Sequence, residues 1–139
     1  MKLTREQAIE EHRKMWIWIA KNCIELINKD YDIRSIKRIY IEEHTPYNIC
    51  DIESLCFCCE YNSNRLSCEE CPIEWSGEDS YCCDRHGEYR IFADIKSNYV
   101  YYMKMPLIHK KTKNIKQYER RIIKLAYKIA MLEERKDNV

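Results

Sequence analysis

Five of the nine cysteines in this 139-residue chain lie in one short stretch, CFCCEYNSNRLSCEECP, which runs from Cys56 to Pro72. Cys56 and Cys59 form one C-x-x-C pair, and Cys68 and Cys71 form a second pair behind a polar loop. Two such pairs supply the four thiolates of a tetrahedral zinc site, with Zn–S bonds of about 2.3 Å. The spacing therefore predicts a zinc ion bound by these four cysteines. Since protein fills all four positions, the expected role of the metal is structural.

Further candidate ligands lie close to these pairs in the sequence: Cys58, Cys82, Cys83 and His86. In one hypothesis, one of these residues replaces a member of the C-x-x-C pairs as a ligand of a single zinc ion. The other gathers all four into a second zinc site, which requires the neighbouring side chains of Cys58 and Cys59 to diverge, as they do in extended backbone. We expect one zinc ion and keep two as the alternative, because adding ligands by count alone overfits a cysteine-rich segment.

Catalytic interpretations fit the sequence less well. The tripeptide HGE at His86 matches the H-x-E of zinc deaminases, but it follows a C-x-x-C-P instead of preceding a P-C-x-x-C. The sequence contains no phosphate-binding glycine loop, nucleophile elbow or H-E-x-x-H helix. His12, His44 and His109 have no sequence neighbours that suggest metal or nucleophilic chemistry. We therefore assign no catalytic residues.

A long helix is predicted over residues 4–28. Thr4 and Gln7 have the spacing of a capping box, in which each side chain bonds the backbone of the other residue. Apolar residues then recur at three- and four-residue intervals, and the segment MWIWIA is apolar on much of its circumference. We expect both of its tryptophans to lie in the core, the helix to contact structure on two sides, and Cys23 to be a buried hydrophobic residue.

A second long helix is predicted over residues 114–134, again with capping-box spacing at Asn114 and Gln117. Residues 35–44 predict a short helix that ends before Pro46. The segment 87–95 is ambiguous, and YVYYMKM at 99–105 has strand propensity. The expected fold is mainly α, with α+β as the alternative. The two end helices would pack around a cysteine-rich zinc module at 50–86.

Composition indicates one globular domain spanning residues 1–139. The chain is 45% hydrophobic and 34% charged. No stretch approaches the roughly 18 apolar residues of a membrane span. We expect a cytoplasmic protein without membrane contact. Cytosolic thiols stay reduced, and this favours metal binding over disulfides.

Charge is unevenly distributed along the chain. Residues 42–94 hold thirteen acidic side chains and three basic ones, whereas residues 104–128 hold nine basic side chains and one acidic one. A basic stretch of this kind either follows a nucleic-acid backbone or faces the acidic middle of its own fold or of a second copy in a homodimer. The candidate nucleic-acid or anion-binding residues are Lys110, Lys111, Lys113, Lys116, Arg120, Arg121 and Lys124.

Several segments resemble an uncharacterised family of small cysteine-rich proteins encoded by phages and prophages of Gram-positive bacteria. They are LTREQAIEEHRKMWIWIA at 3–20, CCEY ending at Tyr61, CPIEW at 71–75, a cysteine at 82 or 83, and KIAMLEER near the end. The resemblance implies a phage source and zinc binding, and it carries no established activity.

These observations favour a non-enzymatic, zinc-stabilised binding protein that acts in the bacterial host cytoplasm. Its expected partner is a host or viral protein, and inhibition of host antiviral defence, as by an anti-CRISPR-like protein, is one such role. The first alternative is a nucleic-acid-binding accessory factor that uses the basic 104–128 region. The second is a zinc-dependent hydrolase or nuclease, which needs a water on the metal.

Overall fold

The computed structural model of the chain is mainly helical, and it describes residues 3–52, 56–61, 71–75, 88–104 and 112–135. The elements are α1 (Arg5–Asn28), α2 (Ile33–His44), a 3-10 turn (Ile49–Asp51), α3 (Phe57–Tyr61), α4 (Glu88–Met103) and α5 (Thr112–Ala130). Within those ranges there is no strand, and the one β-bridge joins Ile73 to Glu134. The prediction of a mainly α fold is confirmed. No helix in the described ranges is both long and apolar enough to cross a membrane.

The predicted capping box at the start of α1 is confirmed. Thr4 Oγ1 accepts a hydrogen bond from the backbone N–H of Gln7 at 3.1 Å, and the Thr4 N–H donates to Gln7 Oε1 at 2.9 Å. Such a cap stabilises a helix by about 1 kcal/mol. The first turn of α1 is thereby fixed by its own sequence.

Helix α1 is the central element of the described core and contacts α2, α3 and α5. Trp16 is fully buried, with its ring perpendicular to that of Phe92 at 5.4 Å between centroids. Trp18, on another side of the helix, packs against Tyr40. The expectation of packing on two sides is therefore confirmed. Cys23 is buried as predicted, and burial raises the pKa of its thiol to about 11.

The predicted short helix is also present as α2. Asp32 caps it, with its carboxylate accepting from the Ser35 N–H at 2.7 Å. The helix ends at His44, just before the Thr45-Pro46 step. A residue that precedes proline is pushed out of helical geometry, which accounts for this boundary.

The strand propensity of YVYYMKM was misleading, because residues 99–103 belong to helix α4, while Met105 lies outside the described residues. Phe92, Ile95 and Tyr99 are all buried, at the three- and four-residue intervals of one helix face. β-propensity measures how well a side chain fits a half-buried surface, and packing against neighbouring helices overrides it here.

Helix α5 differs from its predicted 114–134 range at both ends. It begins at Thr112, so Asn114 lies inside the helix and does not cap it. It ends at Ala130, because residues 132–135 turn back to pair with residues 71–75. The Glu74 N–H donates to the Glu133 carbonyl at 3.0 Å, and the Arg135 N–H donates to the Pro72 carbonyl at 2.8 Å. This pairing ties the end of the cysteine-rich stretch to the end of α5.

Candidate metal centre

Three cysteine thiols from two parts of the chain meet at a partly buried position. Cys56 directly precedes α3, Cys58 lies within it, and Cys71 begins the segment that pairs with the end of α5. Cys58 is fully buried, and its side chain hydrogen-bonds with those of both Cys56 and Cys71. The fold thus joins the first and last cysteines of the stretch through the thiol that lies outside the C-x-x-C pattern.

The hydrogen bonds of this cluster set its proton distribution. Those with Cys56 and Cys71, together with burial, raise the pKa of Cys58 well above its ordinary value. The Cys58 hydrogen bond instead lowers the pKa of Cys71 to about 7. The Ile73 backbone also favours the Cys71 thiolate, while burial opposes it. Near neutral pH, Cys58 therefore keeps its proton and Cys71 is partly ionised.

Residues near the two ends of the described chain hold Cys71 in place. The Arg135 guanidinium donates from Nε to the Cys71 carbonyl at 2.8 Å and from Nη2 to the Ile73 carbonyl at 3.4 Å. Arg5, at the start of α1, donates to the Arg135 carbonyl and pairs with the Glu134 carboxylate at 3.2 Å. Helix α1 and the segment that follows α5 therefore both contribute to the position of Cys71.

His12 lies beside this region, although its neighbours in the sequence suggest no metal or nucleophilic chemistry. Its ring is buried and meets the Trp75 ring edge-on, at 5.8 Å between centroids. His12 Nε2 lies 3.0 Å from the Ile129 carbonyl oxygen, so Nε2 carries the proton and donates. Burial lowers the pKa of His12, and the nearby Cys56 only partly offsets this effect. The imidazole is therefore neutral at physiological pH.

His12 was identifiable from the sequence only as a member of the buried stripe of α1. Nothing in the local sequence connects it with Trp75, which follows it by 63 positions. Because Trp75 lies in the same paired segment as Cys71 and Cys56 lies near the imidazole, the histidine belongs to the surroundings of the thiol cluster. The only sign of His12 in the sequence was its position on the apolar stripe of α1, and a histidine that simply packs in the core occupies the same kind of position.

The predicted zinc ligands fall partly within the described residues. Cys56 and Cys71 come together through the alternate candidate Cys58. Cys59 lies in α3 with its side chain not described, and four further candidates lie outside the described residues: Cys68, Cys82, Cys83 and His86. Among the side chains that are described, no group of three or more His, Cys, Asp or Glu residues has the arrangement of a metal site.

The chemistry of the cluster nevertheless suits a soft, thiophilic metal such as zinc. Thiols bind zinc as thiolates, at Zn–S bonds of about 2.3 Å, once they have lost their protons. Metal binding would therefore replace the protons that these three thiols share. Cys56, Cys58 and Cys71 would supply up to three thiolates, and a ligand from elsewhere would complete the shell.

The candidate nucleic-acid residues are partly visible on α5. Lys116, Arg120, Arg121 and Lys124 are exposed along this helix. Lys113 lies in α5 with its side chain not described, and Lys110 and Lys111 lie outside the described residues. The four exposed cations make a positively charged surface on a helix whose opposite side is core, as at Ile122 and Ala126.

Comparison of the chain with protein-family models, with curated proteins and with solved structures found no match in any of the three.

Proposed function

We propose that the chain is a non-enzymatic, zinc-stabilised binding protein that a phage produces to bind a host or viral macromolecule. One such binding role is the inhibition of a host antiviral defence, as by an anti-CRISPR-like protein. One zinc ion is expected, bound by thiolates of the cysteine-rich segment. The helices form the scaffold, and the metal fixes that segment on it.

The observation that carries the proposal is the contact of Cys58 with both Cys56 and Cys71. Three thiols, of which Cys58 is fully buried, meet between α3 and the segment that pairs with the end of α5. Cytosolic thiols are kept reduced, so such a cluster gains stability chiefly by binding metal. A structural zinc contributes roughly 10–16 kcal/mol of apparent binding energy in small domains. This exceeds or matches the whole stability of many proteins of this size.

The role assigned to the metal follows from its ligands. A zinc ion with four protein ligands has no position for water, whereas a catalytic zinc keeps one open. The two C-x-x-C pairs provide enough thiolates for a closed shell, and this supports binding over hydrolysis.

The direct test is the metal content of purified chain, measured by plasma mass spectrometry together with native mass. The proposal expects one zinc per chain and a sulfur-only or sulfur-rich shell in X-ray absorption at the zinc edge. A protein that is folded without any metal, or whose zinc carries a bound water, would contradict it. Two zinc ions per chain would support the alternative second site.

The nucleic-acid alternative rests on the exposed cations of α5. Binding to phosphates would weaken steeply with added salt, because each neutralised phosphate releases counterions. Charge reversal at Lys116 and Arg120 would then abolish retention of DNA or RNA at low salt. If the unaltered chain shows no retention at low salt, this alternative is excluded and the protein-binding role stands.

A further inference from the structure

An apolar groove runs along the surface between α4 and α5. Among the described residues five large hydrophobic side chains are exposed, and three of them line this groove: Ile91, Tyr127 and Met131, with Met131 66% exposed. Ile95 and Leu125 form its floor, and its volume is about 580 Å³. Scattered exposed hydrophobic residues are normal in a soluble protein, but their concentration in one groove indicates a binding surface.

The rim of the groove is positively charged. Arg121, Lys124 and Lys128 line it, and none of the described residues that line it is acidic. Lys128 lies 3.7 Å from the buried Glu88 carboxylate, which offsets part of its charge. Arg121 and Lys124 are exposed and form no ion pair with the described part of the chain. The groove therefore combines an apolar floor with two cations that have no ion-pair partner in the described ranges.

This combination selects among possible occupants. A symmetric dimer through the groove would bring Arg121 and Lys124 of one copy towards the same residues of the other, and like charges repel. A nucleic acid would satisfy the cations but leave the apolar floor without a matching surface. An acidic protein segment with an apolar face satisfies both parts of the groove.

The shape of the groove favours a helical segment. From Leu125 to Met131 the wall of α5 extends about 9 Å, at 1.5 Å rise per residue. A helix of two to three turns presents apolar side chains at i, i+3 or i+4 and i+7 over about this length. Acidic side chains on its flanks would then face Arg121 and Lys124.

We propose that the α4–α5 groove binds an acidic amphipathic helix of a partner protein. This inference rests on the proposed function, since it names the surface and the partner chemistry of the binding protein. Apolar burial on the groove floor supplies affinity, and the cationic rim selects acidic over basic helices.

The test uses the full zinc-loaded chain and a synthetic helical peptide of about four turns, or ~15 residues. The peptide carries Leu on one face and Glu on both flanks, and the matched control replaces every Glu with Lys. Fluorescence anisotropy measures the binding of each. The acidic peptide is expected to bind at least about 10-fold more tightly than the basic one, with a difference that shrinks as salt is added.

Three variants locate the binding surface. Met131→Glu places a charge on the apolar wall and is expected to weaken the acidic peptide at least about 10-fold. Lys124→Glu is expected to weaken the acidic peptide and strengthen the basic one. Arg120→Glu alters an exposed cation of α5 that does not line the groove, and is expected to change affinity by less than about 3-fold. Far-ultraviolet circular dichroism checks that each variant keeps its helix content.

Equal affinity for the two peptides, or binding that Met131→Glu leaves unchanged, would overturn the groove proposal. The proposal would also be overturned if analytical ultracentrifugation shows a dimer that Met131→Glu converts to a monomer, since a second copy of the chain would then occupy the groove. Its failure is distinguishable from failure of the proposed function. If the chain binds zinc and its identified partner also binds the Met131→Glu variant normally, the proposed function holds and the groove proposal is wrong. If the chain folds without zinc and still binds the acidic peptide, the groove proposal holds and the proposed function is wrong.

Discussion

His12 of α1 and Ile129 of α5 are joined by a buried hydrogen bond, 3.0 Å from imidazole Nε2 to the carbonyl oxygen. The bond crosses the contact between the two long helices and leaves His12 Nδ1 with no hydrogen-bond partner among the described residues. A neutral imidazole satisfies this arrangement, whereas an imidazolium would bury a charge against Trp75 and the helix interior.

Stability should therefore fall as the pH decreases through the ordinary pKa of histidine, about 6.5. The folded state depresses the pKa of His12, so below this pH the unfolded chain takes up a proton that the folded chain refuses. The contribution of neutral His12 to the free energy of unfolding is complete above about pH 6.5. Below that pH it decreases by up to about 1.4 kcal/mol per pH unit. Urea unfolding at about pH 7.5 and about pH 5.5 measures this loss.

His12→Gln separates this effect from the protonation of other groups. Glutamine keeps an N–H donor for the Ile129 carbonyl but does not titrate. The variant should be less stable at neutral pH, through imperfect packing, yet its stability should depend less on pH between about 7.5 and 5.5. Equal pH dependence in the two proteins would show that His12 does not set it.

Sequence patterns predicted α1 well because the information that defines it is local. The capping box at Thr4 and the apolar stripe through Trp16 and Cys23 need no knowledge of the rest of the chain. Helix α4 was missed for the opposite reason. Tyr99 and its neighbours have the propensity of a strand, and only the packing of Phe92 and Tyr99 against other helices decides the outcome.

Tyr99 connects three helices through its hydroxyl, which lies 3.0 Å from Asn28 Oδ1 and 3.2 Å from Glu119 Oε1. Burial raises the pKa of this phenol, so it stays protonated and donates to one of the two oxygens. Tyr99→Phe removes the donor and should reduce the free energy of unfolding by about 1–2 kcal/mol. Tyr101→Phe, at a side chain 69% exposed, is the matched control and should change it by less than about 0.5 kcal/mol. Thermal unfolding of both variants provides the measurement.

The meeting of Cys56 and Cys71 was predictable from the sequence, whereas the part that Cys58 plays in it was not. The C-x-x-C spacing predicts that these two cysteines face one point, and the zinc ion that they are expected to hold stays a prediction. Spacing alone leaves Cys58 unassigned, because the direction of its side chain depends on where α3 packs against α1. The hydrogen bonds of Cys58 with both other thiols come from that packing and from the return of the chain at Cys71.

Cys58→Ser should lower zinc affinity at least about 100-fold if this thiol belongs to the metal centre. Serine has nearly the same size but provides a hard, poorly ionised oxygen in place of a thiolate. Cys50→Ser changes an exposed cysteine outside the cluster and should leave zinc affinity within about 2-fold. Competition with a fluorescent zinc chelator measures both variants. Unchanged affinity in Cys58→Ser would assign the metal to the C-x-x-C cysteines alone.

Arg135 should stabilise the Cys71 segment through its side chain. The guanidinium bonds the carbonyls of Cys71 and Ile73, while the Arg135 backbone N–H bonds the Pro72 carbonyl and is unaffected by substitution. Arg135→Ala should therefore loosen residues 71–75 without releasing them. The free energy of unfolding should decrease by about 1–3 kcal/mol, since the substitution removes hydrogen bonds from a charged donor.

Hydrogen exchange followed by mass spectrometry distinguishes this local loosening from global destabilisation. Exchange should rise at residues 71–75 and 132–135, with α2 unchanged. Arg135→Lys keeps the charge but lacks the two-pronged donor, so it should restore only part of the protection. Arg120→Ala, on the exposed side of α5, serves as the control and should alter neither region. Because Cys71 belongs to this segment, Arg135→Ala should also weaken zinc binding. Unchanged zinc affinity in this variant would show that zinc binding does not depend on the pairing of residues 71–75 with residues 132–135.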